Sequence, residues 1–312
     1  MKLAITGGNG FIGNHLFNYL LSKNLDVVKI NRKKDKNGKL TSNFLTKSKK
    51  ESYLKDIDTI IHCAARVHQF EDIKDQKNKL YIESNVLNTK KLAKEAINNG
   101  VNKLIFISSV KVYGEETKNN NSFDQNSKAN PLDIYALSKL KAEKHLLSLQ
   151  RQNKLNVTII RPPLVYGPGV GANFKKILWA IDKEIPLPFK YHENKRSFIF
   201  VENLIAFIYE CCINENSNNK IFTISDNQDL STSELIEKIS FYMKKRGTQI
   251  KFNKKLIRFF LRIIQKDGIY NKLFNSLQVN PRNSFNCMNF NPPRTLDYGI
   301  KKTVLWYLNN QK

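Results

Sequence analysis

The sequence predicts an α/β fold, a doubly wound parallel sheet with a smaller, interleaved C-terminal lobe. Three observations predict it. Short apolar runs alternate with longer helical patterns through the first half, as parallel β-α-β units require. Those runs stay apolar at successive positions, as strands covered by helices on both faces do. The first run ends in Thr6-Gly7-Gly8-Asn9-Gly10-Phe11-Ile12-Gly13, a glycine turn opening directly into a helical pattern.

Strands are expected at Lys2–Thr6, Asp26–Asn31, Thr59–Cys63, Lys103–Ser108 and Asn156–Arg161, and helices at Phe11–Lys23, Lys79–Asn99, Tyr135–Gln150 and Asn173–Lys183. Past about residue 165 the pattern loosens through Tyr166-Gly167-Pro168-Gly169 and Ile185-Pro186-Leu187-Pro188, before helices near Glu202–Cys212 and Ser231–Lys245. A return strand at Lys220–Ile224 makes the two parts interleave. Residues 1–165 are therefore expected to form a Rossmann-type unit, and residues 166–312 mainly a second lobe. The Asn- and Lys-rich stretches Lys33–Lys50, Lys118–Asn130 and Asn214–Lys220 read as solvated loops.

At 312 residues, with 41% apolar and 11% aromatic content, the chain is long and apolar enough for one large core, which excludes a disordered protein. The formal charge of +25 has two readings. Lys fills solvated faces, or an electropositive surface attracts a nucleotide diphosphate, an anionic membrane or nucleic acid. Cys63, Cys211, Cys212 and Cys287 have neither metal-ligand spacing nor the density of a disulfide framework, so a reducing cytoplasm and no metal are expected. The amino terminus enters the first strand without an apolar leader, and no run of roughly eighteen apolar residues suggests a spanning helix.

Gly7, Gly10 and Gly13 let a backbone turn tightly and approach a pyrophosphate, while the helix from Phe11 and Ile12 offers free N–H groups and a positive dipole end. This pattern points to a dinucleotide. The second strand ends Ile30-Asn31-Arg32-Lys33-Lys34, without the carboxylate that reads the ribose hydroxyls of NAD. Asn31 and Arg32 then belong to the cofactor site, and Arg32 with Lys33 suits a 2′-phosphate. NADP(H) is favoured over NAD(H).

Ser108-Ser109 closes the fourth main strand, and Tyr135-Ala136-Leu137-Ser138-Lys139 opens a helix. Residues four apart share a helix face, so the Lys139 ammonium can stand beside the Tyr135 phenol and favour its ionised form. Moving a phenol from about 10 to near neutrality takes about 4 kcal/mol. Tyr135 is the expected acid/base, and Ser109 holds the substrate oxygen. The rival reading, drawn from the charge, is a non-catalytic dinucleotide sensor or RNA-binding protein that needs neither Tyr135 nor Lys139; no specific nucleic-acid partner is expected.

These residues resemble the extended short-chain dehydrogenase/reductase family, which includes UDP-glucose 4-epimerases, sugar-nucleotide 4,6-dehydratases and 4-ketosugar reductases. The likeness covers nearly the whole chain. It extends through Ile61-His62-Cys63-Ala64-Ala65, Asn85-Val86, Tyr113-Gly114 and Arg161-Pro162-Pro163-Leu164-Val165-Tyr166-Gly167-Pro168-Gly169. It implies that Ala64, Ala65, Asn43 and Phe44 line the adenosine side, that Asn85 supports the dinucleotide, and that Lys139 binds the nicotinamide ribose. It further implies a UDP-sugar substrate, with Asn173 and Arg196 at the diphosphate, Leu187 and Phe189 around the pyrimidine, and Lys111 beside Ser109 in the substrate pocket. A homodimer pairing through helices of the nucleotide-binding half is also implied.

Ala65-Arg66-Val67-His68, Ser108-Ser109-Val110-Lys111-Val112 and Asn194-Lys195-Arg196-Ser197 resemble one subgroup most. Its members reduce UDP-2-acetamido-2,6-dideoxy-hexos-4-ulose for surface polysaccharides, although epimerases share the same phrases. Dehydratases of the family carry Asp-Glu after the serine or threonine, for proton removal at C5 and protonation at C6. Val110-Lys111 stands there instead, which disfavours elimination. Asn88 replaces a usual glycine, Asn43 an aspartate facing adenine, and Asn280 an aspartate of the late substrate segment.

His62 follows two isoleucines and reads as buried structure, while Arg66 and His68 lie past the strand end, near cofactor or substrate. Lys254–Gln265 is an apolar run studded with cations. It packs one face on the smaller lobe, or it lies on an anionic membrane.

Overall fold

Runs of aliphatic and β-branched residues pair into one parallel sheet in the computed structural model, which describes residues 1–30, 32–34, 40–44, 53–67, 74–118, 121–190, 193–251 and 274–311, and of 32–34, 40–44 and 74–77 the backbone alone. The strands are β1 Lys2–Thr6, β2 Asp26–Ile30, β3 Arg32–Lys34, β4 Leu40–Phe44, β5 Thr59–His62, β6 Lys103–Ile107, β7 Asn156–Arg161, β8 Leu164–Tyr166, β9 Phe198–Phe200 and β10 Ile221–Thr223. The main sheet has the order β10-β7-β6-β5-β1-β2. Every pair in it is parallel. β3 and β4 make an antiparallel ladder of their own, and β8 pairs with β9 in parallel.

The pleat sends alternate side chains of each strand to opposite faces, and those faces feed separate cores. Leu3 and Ile5 of β1, Ile105 and Ile107 of β6, and Ile160 of β7 join one cluster. It includes Leu16 and Leu20 of α1 (Phe11–Ser22), and Leu204, Phe207 and Ile208 of α6 (Val201–Ile213). Ala4, Leu104, Phe106, Val157 and Ile159 point the other way, against α3 (Asn88–Asn98) and α4 (Ile134–Arg151). Burial on both faces is why these strands read as continuous apolar runs. The α/β, Rossmann-type prediction holds.

Several boundaries differ from expectation. The helix expected at Lys79–Asn99 starts earlier, as α2 (Lys74–Ile82), and passes through a π-helical turn at Glu83–Leu87 before α3. One extra residue per turn shifts the helix face, and Asn85 is left 1% exposed in the interior. The β3–β4 ladder lies within Lys33–Lys50, a stretch expected to be a solvated loop, because lysines mask the weak pattern of a short ladder. The return strand exists but is short, Ile221–Thr223, and it pairs with β7. Asn214–Lys220 contains a one-turn 3-10 helix, Glu215–Ser217, whose Ser217 is buried rather than solvated.

Beyond β7 the chain runs through α5 (Ala172–Asp182), α6, α7 (Thr232–Met243), α8 (Arg282–Met288) and α9 (Leu296–Asn309). The last two go unassigned by sequence periodicity. α7 opens with a full capping box, in which Ser231 Oγ accepts from the Glu234 N–H and the Glu234 carboxylate accepts from the Ser231 N–H. The amphipathic run Lys254–Gln265 and His68 lie outside the described residues.

A buried ion pair ties α4 to the end of β7. Arg161 donates from Nε to Glu143 Oε1 at 3.0 Å and from Nη2 to Glu143 Oε2, while its Nη1 reaches the Tyr113 hydroxyl. Glu143 is fully buried. Removing one partner of such a pair leaves the other charge without compensation, so Glu143→Ala should lower stability by about 3–5 kcal/mol. A fall in the urea midpoint at unchanged m-value is the expected readout.

Candidate active site

The order of the sheet reverses at β1, with β2 on one side and β5 on the other, and the C-terminal ends of β1, β5 and β6 open on the resulting crevice. A cavity of about 1010 Å³ lies there. The glycine turn forms its first wall. Gly7 has φ +71°, and a Cβ on it would stand 2.7 Å from the Ala64 backbone nitrogen. A Cβ on Gly13 would stand 2.2 Å from the Gly7 carbonyl oxygen, so bare backbone is required at both places. Gly10 caps α1 without a side-chain hydrogen bond, and no acidic residue occupies the first turn. The positive helix end thus faces the cavity, beside Phe11 and Ile12, with Ala64 and Ala65 opposite.

These features fit a dinucleotide pyrophosphate. Asn85 does not line the cavity but supports its rim. Its Oδ1 accepts from the Arg66 N–H at 2.7 Å, and its Nδ2 donates to the Arg66 carbonyl at 3.2 Å and to Ser138 Oγ at 2.9 Å. The π-helical turn makes that reach available. Asn31, and the side chains of Arg32, Lys33, Asn43 and Phe44, lie outside the described residues.

Ser109, Tyr135 and Lys139 come together on the next wall, as their sequence context predicts. Burial pushes the Tyr135 phenol up to about 12, against a side-chain hydrogen bond from Ser109 that favours the phenolate. Lys139 is 1% exposed, with Nζ 4.0 Å from the centre of the Phe106 ring. Burial pushes it down to about 7, opposed by Glu143 one helical turn on and by Cys63. The buried ammonium rests on an aromatic face, and Ser109 is the group that opposes the rise of Tyr135. Ser108 Oγ is buried at the same wall with no hydrogen-bond partner among the described residues, a polar atom suited to a ligand.

The far wall carries Asn173 and Arg196. Gly171 is the N-cap of α5, so Asn173 is not spent on capping. Arg196 is held by Nη1 donating to the Asn275 carbonyl at 2.7 Å, and burial pushes its guanidinium down to about 10 against the Glu115 carboxylate.

Other expected contacts are rearranged. Lys111 lines the cavity, but its ammonium donates to Glu115 Oε1 at 2.7 Å and to Asp133 Oδ2 at 2.6 Å rather than standing open for substrate. Leu187 and Phe189 are not among the cavity-lining residues. Leu187 exchanges backbone bonds with Thr248 and Ile250, and the buried Phe189 ring lies 5.0 Å from that of Phe274. Asn280, just ahead of α8, accepts from the Arg282 N–H at the start of that helix at 3.1 Å.

Sequence reasoning missed Asp133, the α4 N-cap, whose Oδ1 accepts from the Ala136 N–H at 2.7 Å. An aspartate just before an apolar helical pattern is a readable N-cap signal. It also missed Glu115, and Thr232 at the cavity wall. His62 is structural, as expected. Nδ1 lies 2.6 Å from Thr6 Oγ1 and Nε2 2.9 Å from Thr89 Oγ1, and burial pushes the imidazole down to about 3.

The model of the NAD dependent epimerase/dehydratase family matches residues 3–225. The chain belongs to this family. A UDP-glucose 4-epimerase of Vibrio cholerae is 35% identical over 313 aligned positions, covering 98% of this chain and 95% of that protein. A dTDP-4-dehydro-6-deoxyglucose reductase of Escherichia coli is 27% identical, with 97% and 96% covered. Among solved structures, a UDP-glucuronic acid 4-epimerase from Bacillus cereus in complex with NAD superposes with a TM-score of 0.78 over 100% of both chains, at 18% identity, and so shares the fold.

The family is NAD-dependent, and the glycine turn of this enzyme has the bare backbone that a dinucleotide cradle needs. Among the described residues no group of three His, Cys, Asp or Glu could hold a metal, and no helix is long and apolar enough to cross a membrane.

This geometry makes two outcomes testable. Because the Gly13 overlap is with backbone, Gly13→Ala should weaken NADH binding about ten- to hundredfold, measured by titration calorimetry. Unfolded His62 takes a proton below its ordinary 6.5, whereas the folded imidazole refuses it down to about 3, so stability falls as pH drops through that window. His62→Gln should flatten that part of the profile in acid-unfolding experiments.

Proposed function

We propose that the enzyme reduces the C4 ketone of a UDP-4-keto-6-deoxy-N-acetylhexosamine. When bound, the reduced dinucleotide supplies the hydride. Ser109 holds the carbonyl oxygen, and Tyr135 donates the proton that the forming alkoxide takes up. Lys139 completes the wall on the nicotinamide ribose side, and Asn173 with Arg196 binds the diphosphate. Arg196 suits it, because a guanidinium offers parallel donors to paired oxygens. Arg32 and Lys33, placed after β2 by the sequence, support NADPH over NADH.

The observation that carries this reading is the state of the two residues next to Ser109. Val110 is aliphatic and buried, and the Lys111 ammonium is bonded to two carboxylates. Neither can remove a C5 proton or protonate a leaving hydroxyl, so Tyr135 is left as the proton-transfer group and carbonyl redox chemistry as the reaction class. A phenol held up at about 12 is protonated at neutral pH, which suits a proton donor in reduction.

The whole-length likeness to a UDP-glucose 4-epimerase favours a second reading, epimerisation at C4 of a UDP-sugar with the dinucleotide retained. Mixing the enzyme with the ketosugar nucleotide and either NADPH or NADH separates the two. Stoichiometric loss of nicotinamide absorbance supports the reductase. Interconversion of C4 epimers with no net oxidation of added cofactor replaces it with the epimerase. In either case Tyr135→Phe should lower kcat about a hundred- to ten-thousandfold while dinucleotide affinity holds.

A further inference from the structure

Lys111 sits in the one-turn 3-10 helix Val110–Val112 that leaves β6 through Ser109. Its backbone N–H donates to Ser109 Oγ at 3.3 Å. Its ammonium reaches across 22 residues of sequence to Asp133 Oδ2 at 2.6 Å, and it also holds Glu115 Oε1 at 2.7 Å. The other oxygen of Asp133 caps α4 through the Ala136 N–H at 2.7 Å, and Tyr135 is the second residue of that helix. A continuous run of hydrogen bonds therefore joins the Ser109 turn to the first turn of the Tyr135 helix, alongside the direct Ser109–Tyr135 bond. The three charged side chains are mostly shielded, with 16–30% of their surface exposed, so the contacts are screened less than surface ion pairs.

We propose that Lys111 is a positioning residue: it fastens the Ser109 turn to the helix that carries Tyr135, and it holds Asp133 in place as the cap of that helix. The fastening sets the distance between the group that holds the ketone oxygen and the group that protonates it. It also governs charge. The groups facing the phenol are Asp133 on its own helix and Tyr81 from α2, which both raise it, and Ser109 from the β6 end, which lowers it. Lys139 lies one helical turn along, and Glu115 and Arg196 stand behind Lys111 and Asp133. Without the Lys111 cation, the Asp133 carboxylate, which raises the phenol, and its neighbour Glu115 lose the ammonium they share. The role differs from the substrate contact that resemblance implies for this position. It rests on the proposed part of Tyr135 as proton donor.

The test compares Lys111→Met, Lys111→Arg and the double variant Lys111→Met with Asp133→Ser, serine being a competent N-cap without charge. Steady-state kinetics and ultraviolet titration of the Tyr135 phenol, by difference against Tyr135→Phe, are measured on each. Lys111→Met should lose about ten- to hundredfold in kcat with KM nearly unchanged. Its phenol should also ionise about three- to tenfold less readily at a given pH. Lys111→Arg should restore both values, and the double variant should restore the phenol titration but not the full kcat.

A rise in KM at normal kcat would overturn the proposal in favour of substrate contact. An unmoved phenol titration in Lys111→Met would overturn it as well. If wild type turns over no nucleotide sugar, the functional reading fails, yet the phenol titration still decides the role of Lys111. Should Lys111→Met not fold, Lys111→Gln takes its place in both measurements, and loss of folding in both would mark a structural residue and overturn the proposal.

Discussion

Because β2 and β5 leave β1 on opposite sides, the loops at the C-terminal ends of β1, β5 and β6 cannot cover one another, and the crevice between them stays open. The candidate site opens on that crevice. The glycine turn comes after β1, Ala64 and Ala65 after β5, and Ser109 after β6, so one topological feature gathers residues that are far apart in sequence. The double-sided burial of β1 holds the arrangement rigid. Leu3 and Ile5 anchor one face and Ala4 the other, and a slip by one residue would exchange the two cores.

Buried cations show how a chain of formal charge +25 manages its interior. Arg161 is met by a bidentate carboxylate. Lys103, on β6, donates to the Cys211 carbonyl and to Ser217 Oγ, both at 2.6 Å, closing the C-terminal end of α6. Lys139 has an aromatic ring beneath it and Glu143 a helical turn away. Each solution fits its place. Arg161 and Lys103 are tied to oxygens, whereas Lys139, which lines the cavity with the glycine turn, is held less firmly in its charged state.

The legible parts of this protein are those whose signal is local. The glycine turn, the strand Asn156–Arg161 and the Tyr135–Lys139 spacing depend on residues within a few positions of one another, and the structure places each where the sequence predicts it. The resemblance makes Lys111 a substrate contact; Glu115, four residues on, is a local partner, but Asp133 is 22 residues away and nothing near Lys111 announces it. The resemblance places Leu187 and Phe189 around the pyrimidine, whereas in the structure Leu187 pairs through its backbone with Thr248 and Ile250, and the Phe189 ring packs near that of Phe274. Asn85 is readable as support for the dinucleotide, yet the π-helical turn that delivers it has no sequence mark. Asp133 carries a legible N-cap signal, which a helix begun at Tyr135 passes over.

The walls around Ser109 and Tyr135 explain why so few polar groups suffice. Phe11, Ile12, Ile107, Val110, Pro162 and Pro163 border the same space, and such walls keep water from competing for the reacting oxygen. In that setting a single hydrogen bond from Ser109 counts for more than it would in water. The same dryness raises the Tyr135 phenol and depresses the Lys139 ammonium. Each group is thereby moved toward its neutral form. A neutral phenol beside a serine can give up a proton only to a strong base, and an alkoxide newly formed by hydride addition is one. The burial that makes Tyr135 a poor base at rest would, in the proposed reduction, match it as an acid to the alkoxide formed from the ketone.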